Sequence, residues 1–186
     1  METPPKSWPK YLRGTRPPLE LRRLFASAEP VAPEELTGRW RGAGIASGHP
    51  LDGFLEMASW YGKQFDGPND VHPLLMRDNG GVFPLSPTIL PWGAVPALAS
   101  IKQNKRMRRV AHLMAQRGLL RPGTARRPGA RLRLMEWDGI VSTAMIYDAL
   151  PVQDHFRWVE EDVLLGAMDA RGYEPFFFML QREPVA

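Results

Sequence analysis

Residues 130–184 read ARLRLMEWDGIVSTAMIYDALPVQDHFRWVEEDVLLGAMDARGYEPFFFMLQREP. Five segments of strand length stand out: ARLRLMEW, GIVSTAMIYD, QDHFRWVE, DVLLGAMDA and PFFFMLQRE. They are separated by Asp138-Gly139, Ala149-Leu150-Pro151, Glu161-Asp162 and Arg171-Gly172-Tyr173-Glu174. Asp138-Gly139 is a strong two-residue hairpin signal and Glu161-Asp162 a weaker one, so the stretch predicts an antiparallel meander. Alternation assigns the faces. Val141, Thr143, Met145 and Tyr147 share one side of their strand, against Ser142, Ala144, Ile146 and Asp148. His155, Arg157 and Val159 oppose Phe156 and Trp158, while Leu165, Ala167 and Asp169 oppose Leu164, Gly166 and Met168. The run Phe176-Phe177-Phe178-Met179-Leu180 is apolar on both sides, which fits a strand buried on two faces.

Upstream the texture is mixed. Residues 1–18, with scattered prolines and charges, read as a flexible arm. Pro17-Pro18 opens a helix over residues 19–28, with Leu21, Leu24 and Phe25 on one face. Residues 36–46 (LTGRWRGAGIA) read as a strand. Residues 51–65 predict a helix, because Leu51, Phe54, Leu55, Ala58 and Tyr61 form an i, i+3, i+4, i+7 stripe. Residues 66–70 form a turn. Residues 79–101 carry no charge, but Pro84, Pro87, Pro91 and Pro96 argue against a spanning helix. A strand at 82–85 followed by a buried apolar loop fits better. Residues 97–119 read as a basic amphipathic helix, with Met107, Val110, Ala111 and Met114 opposed by Lys102, Lys105, Arg106 and Arg109. A linker at 121–129 leads into the meander. The expected fold is α+β and mainly antiparallel β, one domain over residues 19–186, closing into a β-barrel with inserted and flanking helices.

The densest motif is Gly38-Arg39-Trp40-Arg41-Gly42. It is followed in order by Trp60-Tyr61-Gly62-Lys63, Val71-His72-Pro73-Leu74 and Met145-Ile146-Tyr147-Asp148. On these motifs the chain resembles a bacterial family with an N-terminal GXWXG domain and a C-terminal domain of unknown function. The resemblance runs over about residues 19–182, with the GXWXG-like part at 33–75, and brings no established activity. Gly38-Arg39-Trp40 also resembles the Gly-x-Trp that begins lipocalin and fatty-acid-binding barrels. That resemblance implies a calycin-like barrel whose floor is closed by Trp40, with Arg182 of the last strand stacked over the indole. The helices and the proline-rich loop depart from the usual hairpin succession of such barrels.

Composition excludes several chemistries. The 186 residues include no cysteine, which removes disulfides, thiolate metal sites and thiol nucleophiles. His49, His72, His112 and His155 show no metal-ligand spacing, so neither metal nor cofactor is expected. No Walker loop, GxGxxG or G-x-S-x-G elbow is present. The N-terminus has no apolar signal-peptide core, so a cytoplasmic protein, with an option of peripheral membrane contact, is expected. The net charge of +4 hides segregation: residues 101–133 carry +11 and residues 134–186 carry −7. Two readings stay open. The block neutralises the acidic third within the fold, or it meets an anionic partner. It contains no aromatic residue for base stacking, so nucleic acid is disfavoured as that partner.

The candidate ligand-binding residues are Trp40, Trp60, His72, Tyr147, Asp148, His155, Arg157 and Asp169, with Asp154 a further titratable group. Among them Asp148, His155 and Asp169 are the catalytic candidates. Asp154 and His155 are strand neighbours, so they point to opposite faces and cannot pair. For His72, beside Pro73, turn capping is favoured over catalysis. The leading expectation is a soluble barrel that binds a hydrophobic or amphipathic, lipid-like small molecule, with Lys102, Lys105, Arg106 and Arg109 meeting an anionic surface. The alternative is an enzyme, a cyclase, isomerase or hydrolase of a lipophilic metabolite in the same cavity. The third is nucleic-acid binding through residues 101–133.

Overall fold

A computed structural model of the chain describes residues 9–89 and 104–184. Asp138 and Gly139 take φ of 50° and 78°, the left-handed pair that a two-residue hairpin needs. They join β6 (Ala130–Trp137) to β7 (Ile140–Tyr147) in full antiparallel register. The chain continues through β8 (Val152–Glu160), β9 (Val163–Ala170) and β10 (Phe176–Arg182), so all five strands of the expected meander form.

The first half adds β2 (Gly38–Gly44), β3 (Trp60–Gly67), β4 (Asp70–Asp78) and the short β5 (Gly81–Pro84), which folds back on β4. The pairing order is β8-β7-β6-β4-β3-β2-β10-β9, and β9 pairs with β8 again. Eight antiparallel strands therefore form a closed ring, and along it each strand neighbours its successor apart from β5. Two seams are thin. β4 meets β6 only at Val71 and Ala130. β7 and β8 pair only through Ala144–Ile146 and Gln153–His155, and β1 (Glu29–Pro30) fills the gap beyond, antiparallel to Trp158 and Arg157. There the Thr143 N–H donates to Val31 O at 3.0 Å and the Ser142 hydroxyl accepts from Val31 N–H at 2.8 Å.

The ring has two apolar sides. Trp40, Phe65, Phe156, Phe178 and Leu180 pack inside it. Phe177, Met179, Val163 and Leu165 face outwards and are covered by Leu21 and Phe25 of α1 (Pro18–Ser27). Burial of those two helix side chains, 1% and 2% exposed, stabilises the fold by roughly 1.5–3 kcal/mol each. This accounts for the doubly apolar run at 176–180. The arm expected over residues 1–18 is docked in its described part: Leu12 is buried, and the Arg16 N–H donates to Ala46 O at 2.8 Å.

The helix expected over residues 51–65 is corrected by the structure. Only α2 (Phe54–Met57) is helical, Ser59 turns the chain at φ 59°, and Trp60 onward is strand β3. The aromatic run Trp60-Tyr61 favours extended backbone, Trp60 pairs with Met76 of β4, and residues 62–65 pair with β2. The basic helix is present as α3 (Lys105–Gln116), capped by Asn104 Oδ1 on the Arg106 and Met107 N–H groups. Its docked face is not the methionine stripe. Arg108, Ala111 and Ala115 turn inward, and His112 Nδ1 approaches Glu56 O at 3.1 Å and Ser59 Oγ at 3.3 Å. Met107, Val110, Leu113 and Met114 are each close to half exposed.

Candidate functional site

A cavity of about 100 Å³ lies within the ring and is partly open to solvent. Its walls are almost wholly apolar: Trp60, Met168, Phe176 and Phe178 from the strands, with Phe54 and Leu55 of α2. Among the described residues three polar side chains interrupt them, namely Lys63 of β3, Tyr147 of β7 and Asp154 of β8. Lys63 Nζ lies 2.7 Å from Asp154 Oδ2, and the two side chains are 3% and 2% exposed. The ammonium also donates to Pro73 O at 3.2 Å and reaches Tyr147 Oη at 3.5 Å. Tyr147 O–H donates to the same Asp154 oxygen at 3.3 Å. Asp154 Oδ1 has no hydrogen-bond partner among the described residues.

Aromatic rings surround the cation: Nζ is 5.0 Å from the Phe178 centroid, 5.5 Å from Trp60 and 5.7 Å from Tyr147. Burial lowers the Lys63 pKa, and the nearby Asp154 carboxylate only partly offsets this. Burial, with Asp154 close by, raises the Tyr147 pKa well above its ordinary value, so the phenol keeps its proton. The cluster thus offers an amine, a phenol and a carboxylate within one hydrogen-bonded group, in surroundings that exclude most water.

Residues 23–81 match the family described as GXWXG protein, and residues 128–182 match the domain of unknown function DUF4334. The chain belongs to the GXWXG–DUF4334 family. The crystal structure of a protein from Thermomonospora curvata is similar to it, at 31% identity and a TM-score of 0.64, over 89% of this chain and 87% of that one. No curated protein matches the sequence.

In this GXWXG–DUF4334 chain the motif Trp40 is 0% exposed, and its Nε1–H donates to Thr37 O at 3.0 Å. The Arg182 guanidinium sits 4.4 Å above the indole, as the Gly-x-Trp resemblance implied. Trp40 packs on Phe65 and Trp158 and is not a wall of the cavity. Of the other residues singled out from sequence, Trp60 and Tyr147 line the cavity. His72 is half-buried on β4, opposite Gln64. Asp148 is exposed and pairs with Arg131 at 3.1 Å. Asp169 accepts from Gln153 Nε2 at 3.0 Å.

His155 and Arg157 lie on the outer side of β8. The imidazole stacks on Trp137 at 4.9 Å, and the guanidinium lies 4.8 Å over Phe25. Burial lowers the pKa of His155. The catalytic candidates Asp148, His155 and Asp169 are therefore not in the cavity walls: alternation along β8 gives the interior to Val152, Asp154 and Phe156 and turns His155 away, Asp169 sits opposite Gln153 on β9, and Asp148 lies just beyond the end of β7.

Lys63 escaped the sequence reading. Strict alternation puts Trp60 and Lys63, three residues apart, on opposite faces. The β3–β4 register slips on both sides of Gly62, and this brings both side chains to the interior. A glycine between two aromatics and a lysine was the available signal.

The charged block is shared out. Arg121 clamps Asp78 through two contacts at 2.6 and 2.7 Å, and Arg131 holds Asp148. Arg106, Arg109 and Arg117 are exposed and make no ion pair among the described residues. Lys102 lies outside the described residues. Among those described, no helix is long and apolar enough to cross a membrane, and no group of three His, Asp or Glu is placed to hold a metal.

Proposed function

We propose that the ring is a calycin-like barrel that binds a small, largely apolar molecule carrying one neutral polar head. The observation that carries this reading is the apolar cavity interrupted by the Lys63–Asp154 pair with one carboxylate oxygen unpartnered. The succession of ring strands and the placing of Arg182 over Trp40 support the barrel reading. A space of about 100 Å³ takes a short chain or a single ring, and longer tails extend through the open side.

Charge selects the head. Lys63 is already neutralised by Asp154, so a fatty-acid carboxylate brings a second anion into a low-dielectric site. A hydroxyl or carbonyl head avoids that repulsion. Titration calorimetry with hexan-1-ol and hexanoate at neutral pH is expected to show the alcohol binding at least about tenfold more tightly, or 1.4 kcal/mol. Equal affinity, tighter hexanoate or no binding of either ligand would count against the reading.

We further propose that α3 contacts an anionic membrane surface. Its half-exposed Met107, Val110, Leu113 and Met114 lie beside exposed Arg106, Arg109 and Arg117, the pairing of apolar area and cations that such surfaces attract. The helix packs on α2, whose Phe54 and Leu55 are cavity walls, so a docked α3 sets the cavity near lipid. Flotation with vesicles containing phosphatidylserine is expected to carry the protein up, and vesicles of phosphatidylcholine alone to leave it behind. Replacing the three arginines by glutamine should abolish the difference. Equal behaviour on both vesicles defeats the proposal.

A further inference from the structure

Lys63 is unusual in this chain for being a lysine at all. Arginine accounts for 19 of its 24 basic residues, and only Lys6, Lys10, Lys63, Lys102 and Lys105 carry an amine. Arginine is the better residue for a fixed buried ion pair, since its planar fork matches a carboxylate and it does not lose its proton. An amine in the cavity wall adds something a guanidinium lacks, which is the ability to become a neutral nucleophile.

We propose that Lys63 captures the carbonyl group of a small apolar aldehyde or ketone as an imine, with Asp154 as the counter-ion of the iminium. This rests on the cavity-binding reading above and names the head group. The ammonium first passes a proton to Asp154 along the 2.7 Å contact. The neutral amine then adds to the carbonyl carbon, the C–N bond forming as the carbonyl π pair moves to oxygen. That oxygen gains a proton and the nitrogen loses one, giving a carbinolamine. The C–O bond breaks, oxygen leaves as water with the proton held by the Asp154–Tyr147 pair, and the nitrogen lone pair closes the C=N bond. One carbonyl and one ammonium enter; one iminium and one water leave. The carboxylate and the phenol end as they began.

The geometry serves each stage. Tyr147 Oη, 3.5 Å from Nζ and 3.3 Å from Asp154 Oδ2, is a protonated donor at hand for the departing oxygen. The unpartnered Asp154 Oδ1 is an acceptor for the carbinolamine hydroxyl. The product is a cation where a cation stood, so the carboxylate and the Phe178 and Trp60 rings stabilise it without rearrangement. The apolar walls restrict water, which protects the imine from hydrolysis. Burial, which lowers the Lys63 pKa, favours the free amine.

The test uses the intact wild-type protein, hexanal and cyanoborohydride, read by whole-protein mass and by peptide mapping. One hexyl group per chain, located on Lys63 and suppressed by excess hexan-1-ol, is expected. Label spread evenly over the other lysines, or no label, overturns the proposal. Calorimetry with hexan-1-ol separates the two ideas. Binding of the alcohol without labelling rejects the imine and leaves the cavity reading standing; neither binding nor labelling rejects both.

Discussion

Replacing Lys63 by methionine is expected to cost about 3–5 kcal/mol of stability, and adding Asp154→Leu to it is expected to return most of that loss. The single change leaves the buried Asp154 carboxylate, among the described residues, with only the Tyr147 hydroxyl at 3.3 Å to answer its charge. Desolvation of that carboxylate is then largely uncompensated. The double change removes both charges and fills their places with apolar side chains in a cavity already walled by Trp60, Phe176 and Phe178. Replacements of that kind elsewhere are neutral or stabilising by about 1–4 kcal/mol. Urea unfolding of the native protein and both variants is the measurement. A single change costing under about 1 kcal/mol would show that water reaches the pair. A double variant as weak as the single one would show that Lys63 holds the fold through Pro73 O and the three rings rather than through Asp154. If the double variant is stable yet fails to bind hexan-1-ol, the charged pair is there for the ligand and not for the fold.

How much of this was legible in the sequence varies with how local each cause is. The meander could be read because two of its four turns are two-residue events: at the first, Asp138 and Gly139 supply positive φ where the hairpin needs it. The stacking of Arg182 on Trp40 is what the Gly-x-Trp resemblance implies, and the structure places them 4.4 Å apart. The helix expected at 51–65 failed because its apolar stripe is real but a tertiary force outbids it, the pairing of β3 on both edges. Strand β4 is not among the expected strands, since His72 reads as a turn cap beside Pro73. Pro73 is tolerated where β4 barely touches β6, and its carbonyl is free to accept from Lys63. The amphipathic stripe of α3 was read correctly as a stripe, but small residues, Ala111 and Ala115, do the docking, and the methionines stay outside. The site is legible only in part: Trp60, Tyr147 and Asp154 are named from the sequence, but Lys63 lies far from Tyr147 and Asp154 in the chain, and a slip of register beside Gly62 decides where it points.

That glycine carries the second large effect. Gly62→Ala is expected to destabilise the protein by about 4 kcal/mol or more, or to prevent folding. Gly62 sits at φ 153°, and a Cβ there would stand 1.9 Å from the carbonyl oxygen of Trp40 and 3.0 Å from the amide nitrogen of Gly42. Both are backbone atoms of β2, so no side-chain rotation relieves the clash, and the strands must part. The reciprocal contact is as close: a Cβ on Gly42 would lie 2.2 Å from the Trp60 ring. The GRWRG and WYGK motifs are therefore two halves of one fit, in which Gly42 makes room for the Trp60 ring and Gly62 for the Trp40 carbonyl. The control is Gly172→Ala, at φ 87° with nothing within 4 Å, where only the backbone preference is lost, about 1 kcal/mol. Urea unfolding of both variants, with tryptophan fluorescence as the probe, compares them directly. If the two losses are equal, the close approach of β2 to β3 is not what Gly62 is for. If Gly62→Ala folds but hexanal no longer labels Lys63, the same glycine both packs the ring and aims the amine into it.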